Sequence, residues 1–237
     1  MRSRRRDKRR NRTGPRPRLA DSASIDESRS AEPDASETSK RDTIGLERLL
    51  FFNDAVFAIA ITLLVIDIRL PDNAGADLAG ALRDLAPNFA GFVFSFLVIA
   101  LYWITHHHIF QYIRDYDHQL IWINVLFLMS VAFLLFSTSL INSYGDQSLA
   151  VIFYALNMVV IGVIFMLLWI HAVYRGRLID PATPHAVVRQ ATLRLAIVPV
   201  VFLASVPLAL FSPNGAKLFW LLIPVLRHFV VNRRQAG

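Results

Sequence analysis

Six blocks of apolar residues, each near the roughly 20 residues that a helix needs to cross a bilayer, constrain this chain more than any other feature. Lipid offers the backbone no hydrogen-bond partner, so such blocks must be helices or strands of a closed barrel. Barrel strands alternate apolar and polar residues over about ten positions, and runs such as FVFSFLVIALYWI and LLVI do not alternate. The sequence therefore predicts an all-α, polytopic membrane protein. Six spans are expected at about 49–70, 88–106, 118–142, 148–172, 188–211 and 215–232. Turn signals separate them: LPDNAGAD, NSYGDQS, DPATP and SPNG. Pro199, Pro207 and Pro224 fall inside the last two spans, where membrane helices tolerate proline better than soluble ones do.

The net charge of +7 could point to nucleic acid, but its distribution does not. Ten of the 25 basic residues lie in the first 18 positions. No apolar segment follows that tail closely enough for a secretory or twin-arginine signal. Residues 19–47 are polar and rich in Ser, Asp and Glu, as in a disordered tether. The chain thus divides into a basic and polar tail (1–47), a membrane domain (48–232) and a short terminal tail (233–237). The basic tail is either a solvated extension or a clasp on anionic lipid headgroups. With the amino terminus inside, the inside also collects Arg114, Arg175, Arg177, Arg189, Arg194, Arg227, Arg233 and Arg234. The outside keeps Arg69, Arg83 and Lys217. The positive-inside rule therefore predicts cytoplasmic termini. With no cysteine in the chain, disulfides and thiolate metal sites are excluded.

Polar groups within a span are costly and need a partner or a wet cavity. The first span, FFNDAVFAIAITLLVIDI, carries Asn53, Asp54, Thr62 and Asp67. Ile59, Thr62, Leu63 and Ile66 fall at i, i+3, i+4 and i+7, one stripe about 10 Å long. That stripe is a packing face or a pore face. Asp54 lies about 130° round the helix from it and must turn towards neighbouring helices. Partners are available in ALYWITHHHIF, where Trp103 and His107 share a face, and at Asn124 in the third span. Arg48, Asn53, Asp54, Trp103, His106 or His107, and Asn124 are expected to form a hydrogen-bonded lock between the first three spans. HHH lacks an i, i+4 His pair with an acidic third ligand, so no metal is assigned. No phosphate loop, Ser/His/Asp order or HExxH indicates an enzyme, and no cofactor is implied.

RLLFFNDAVFAIAITLLVIDIRLP resembles the first helix of the TMEM175-type potassium channels, which opens on an R-x-x-x-F-S-D motif. Arg48, Phe52, Asn53 and Asp54 occupy it, with asparagine where the motif has serine. LYWITHHHIF and IWINVLFLMSVAFLLFST resemble the next two helices. The resemblance implies six helices per protomer and a homotetramer with four copies of the first helix around a central pore. It implies that bulky apolar side chains close that pore, here Ile59, Leu63 and Ile66, with Thr62 as a hydroxyl ring beside them. Asn53 and Asp54 would then hold the helix at the rotation the pore needs.

The leading expectation is a passive, potassium-preferring channel for monovalent cations in a bacterial plasma membrane. A secondary transporter is the main alternative, although no internal repeat or broken first helix supports one. A non-conducting scaffold or sensor is the third.

Overall fold

The computed structural model describes residues 35–71, 75, 77–175 and 178–232, with side chains described between residues 44 and 227 of these. The expectations for the basic tail and for residues 233–237 lie outside that set. The elements in order are α1 (Ala35–Leu63), α2 (Leu78–Asp84), α3 (Ala86–Phe110), α4 (His118–Ala132), α5 (Leu134–Tyr144), α6 (Ser148–Ile170), α7 (His185–Phe211), α8 (Pro213–Phe219) and α9 (Leu222–Asn232). Five stretches among the described residues are long and apolar enough to cross a membrane, by length and composition: Ile44–Asp67, Ala86–Phe110, His118–Tyr144, Ser148–Arg175 and His185–Phe211. The protein is a membrane protein, and its described residues are nearly all helical.

Several of the expected helix starts and ends differ from those observed. The sequence puts residues 35–47 in a tether, whereas α1 runs back to Ala35. Extending an existing helix needs no new nucleus, and Gly45 is the only strong helix breaker in that stretch. At its far end α1 tightens into a 3-10 turn over Leu64–Asp67. The expected span at 215–232 is divided into α8 and α9. Pro224 has no N–H to offer the Trp220 carbonyl, which instead accepts from Ile223 N–H at 3.1 Å. The chain turns there, and Pro224 falls in the first turn of α9, where its missing donor does no harm.

The core sits where α6 crosses α4, α5 and α7. Phe127, Met158, Phe165, Trp169 and Phe202 are all fully enclosed in it. α6 and α7 meet closely at Gly162, where a Cβ would lie 2.8–2.9 Å from three ring atoms of Pro199. Only a hydrogen at that position lets the two backbones approach so near. α4 and α5 are consecutive, separated only by Phe133.

The loops after α3 and after α6 are stapled together. Ile113 and Ile179 form an antiparallel bridge, Arg114 N–H donates to the Leu178 carbonyl at 2.9 Å, and Arg114 pairs with Asp180. Beside them Asp117 caps α4, accepting from Leu120 N–H at 2.6 Å. The same carboxylate accepts from His171 Nε2 at 2.8 Å. Partial burial works against the charged carboxylate, but the Leu120 and His171 hydrogen bonds outweigh it and hold the Asp117 pKa below its ordinary value.

Candidate functional site

α1 has two faces set by its sequence. Asn53, Phe57, Ala60 and Leu64 recur at i, i+4, i+7 and i+11, and all four are buried against the rest of the chain. Ile59, Thr62, Leu63 and Ile66 lie almost opposite and are exposed, Ile59 by 58%, Leu63 by 41% and Ile66 by 54%. Asp54 sits on the flank, about 90° from the buried row at 3.6 residues per turn.

The polar anchors form two groups rather than one. In the buried group, His106 Nε2 lies 3.0 Å from Asn124 Oδ1, and Asn124 Nδ2 donates to Asn53 Oδ1 at 2.7 Å. An amide oxygen only accepts, so Asn124 places the imidazole proton on Nε2. Asn53 Nδ2 is 3.4 Å from the same nitrogen, too long to compete. Asn53 and Asn124 are fully enclosed and His106 nearly so. Aromatic rings pack round the imidazole, with Phe110 at 4.1 Å and Phe127 at 5.6 Å between centroids. This group joins α1, α3 and α4.

The second group lies at the protein surface. Trp103 Nε1 donates to Asp54 Oδ1 at 2.8 Å, and His107 stacks on Trp103 at 5.9 Å. The structure does not bring Arg48 or Phe52 into either group. Both are exposed, and Arg48 makes no hydrogen bond to the described residues. The three histidines point three ways, with His108 Nδ1 against the Ile104 carbonyl at 2.7 Å. No three metal-ligating side chains gather among the described residues.

Sequence reasoning missed an anchor at the other end of α1. Asp67 accepts from Ser139 Oγ at 2.6 Å and from Asn142 Nδ2 at 3.1 Å. Ser139 and Asn142 stand at i, i+3 on α5, which was the available signal. With Asp67 held there, the 3-10 turn changes the exposed stripe. At about three residues per turn Ile66 stands directly above Leu63, where an α-helix would leave it about 60° short. The rise of about 2.0 Å per residue also lengthens the stripe to about 12 Å rather than 10 Å.

Thr62 completes the exposed face. Its hydroxyl lies 2.9 Å from the Ala58 carbonyl and 3.0 Å from the Ile59 carbonyl. The proton is thus committed to the helix, and the oxygen lone pairs point away from it.

Residues 48–134 match the family model described as endosomal/lysosomal potassium channel TMEM175. The chain is 36% identical over 170 residues to a potassium channel of Streptomyces collinus, covering 70% of this chain and 82% of that one. It is 33% identical over 171 residues to a potassium channel of Chamaesiphon minutus, covering 70% and 84%. Its fold is similar to the crystal structure of a lysosomal potassium-selective channel TMEM175 homolog from Chamaesiphon minutus, with a TM-score of 0.68 and 31% identity over 80% of this chain and 97% of that one. The motif helix, its anchors and these similarities together place the chain in one family: it belongs to the TMEM175 channels.

Proposed function

We propose that the protein is a passive, potassium-preferring cation channel. It would be a homotetramer in a bacterial plasma membrane, with four copies of α1 around a central pore. The observation that carries this is the exposure of α1. Only 22% of its membrane-spanning stretch is buried by its own chain, the lowest of the five spans, whose others run from 28% to 50%. Its outward face is nonetheless an ordered apolar stripe with one hydroxyl. A single chain cannot enclose a pore with one helix, whereas cyclic symmetry brings identical faces round an axis. The relatives of Streptomyces collinus and Chamaesiphon minutus, both potassium channels, supply the ion.

On this reading Ile59, Leu63 and Ile66 form the constriction. Rings of methyl groups exclude water, and an ion pays in hydration to pass them. Thr62 offers four hydroxyl oxygens in partial compensation. Asn53, His106 and Asn124 fix the rotation of α1 from inside the protomer, while Trp103 and Asp54 steady its flank. α8 and α9 together span 20 residues, about 30 Å of helix, and serve as a bent sixth crossing. Both termini are cytoplasmic by the positive-inside rule.

Purified protein in liposomes, with a potassium gradient as the sole energy source, tests this directly. Ile59→Ala widens the opening and Ile59→Asn wets it, so both should raise flux per assembled tetramer and weaken discrimination against sodium. Thr62→Val should lower flux. Flux that requires a proton gradient would favour the transporter reading. No flux from well-assembled protein would favour the scaffold.

A further inference from the structure

A second site lies away from α1, where α3, α7 and α9 meet. Arg194 of α7 and Arg227 of α9 line one cavity of about 30 Å³, together with Tyr102, Thr105 and apolar side chains such as Phe202 and Ile223. Arg194 stands nine residues into α7, about 14 Å along it, and Thr105 lies about 8 Å before the end of α3. The pair is therefore within the membrane-spanning part of the fold. The two arginines line the same cavity. The ion pairs among the described residues are Arg114 with Asp180 and His171 with Asp117, so neither cavity arginine has a carboxylate there.

The hydrogen bonding of the cavity is one-sided. Arg227 Nη2 donates to Thr105 Oγ1 at 2.9 Å, and Thr105 spends its own proton on the Leu101 carbonyl at 2.6 Å. Arg194 Nε is buried with no acceptor among the described residues. The Tyr102 hydroxyl reaches the Met158 carbonyl only at 3.5 Å. A guest thus meets guanidinium N–H donors and a weakly engaged phenol, inside apolar walls. Water would bring two protons of its own with little to accept them, and would leave both charges uncancelled. An anion accepts from every donor and offsets two like charges that are costly in a low-dielectric setting. The volume suits one or two water-sized guests, which favours a monatomic anion over a tetrahedral oxyanion such as a lipid phosphate.

We propose that this cavity binds a small monatomic anion of chloride's size, held within one chain by Arg194 and Arg227. The site is separate from the α1 stripe, so its test does not depend on conduction. Thermal unfolding of the full-length detergent-solubilised protein would be followed in potassium gluconate, with chloride or bromide replacing gluconate at constant ionic strength. Either halide should raise the midpoint by at least about 3 °C across a hundredfold range and then saturate. Inorganic phosphate and added phosphatidylglycerol should not reproduce the rise, and Arg194→Gln should abolish it. Equal midpoints in gluconate and halide, an undiminished rise in Arg194→Gln, or a rise that follows the lipid would each overturn the proposal. Should that variant not accumulate, crystals of the unaltered chain in bromide decide the matter. An anomalous peak between the two guanidiniums supports the site, and a peak-free cavity removes it.

Discussion

At the residue scale, the buried trio is coupled so that each side chain's proton arrangement depends on the next. Asn124→Leu would leave the Asn53 carbonyl and the His106 N–H unpaired inside an aromatic shell. A cost of about 1–3 kcal/mol is expected, read as a lowered midpoint in thermal unfolding of the solubilised protein. Asn53→Ser should cost less, because serine keeps an acceptor and stands at this position in the family motif. Asp117 behaves differently, being partly exposed and tuned by its environment. Its pKa is held below the ordinary value, so its contribution is full above the unfolded-state pKa near ~3.9. That contribution is lost as pH falls through the lower native-state value. Asp117→Asn retains a capping oxygen but cannot titrate, so its stability should change less with pH below about 4 than that of the unaltered chain. Unfolding midpoints measured for both from pH 6 to pH 3 would show it, and parallel curves would refute it.

At the element scale, the tightest helix contact is the crossing of α6 and α7. Gly162→Ala would drive a methyl group into the rigid ring of Pro199. Proline cannot rotate away as a flexible side chain would, so the helices must separate, at about 1–3 kcal/mol. The unfolding midpoint of the variant checks this, and an unchanged midpoint would mean that the crossing yields freely. The first five spans were legible from apolar length and the lack of alternation, because lipid leaves the backbone only helices or a closed barrel. The motif anchors were legible in part: Asn124 and Trp103 were foreseen as partners, but their division into a buried and a surface group was not. That division depends on rotation, since Asn53 and Asp54 are neighbours in sequence yet face about 100° apart on a helix. The Asp67 anchor and the loop staple were not foreseen. Both join segments far apart in sequence through residues that each look like ordinary turn or headgroup polar groups.

At the scale of the whole molecule, α1 and its 3-10 turn are anchored at Asn53 and Asp54 and again at Asp67, with one face buried between the anchors and the opposite face bare. Native mass spectrometry of the detergent-solubilised protein should find four chains, and a stable conducting monomer would contradict the channel reading. If four such helices do meet, the committed proton of Thr62 has a further consequence. The hydroxyls would present lone pairs to the axis whatever the acidity of either compartment, because none of them titrates in the physiological range. The aperture would carry the sign of an acidic ring without its charge. Anions would be turned away by orientation alone, and calcium or magnesium would find no carboxylate to lodge against.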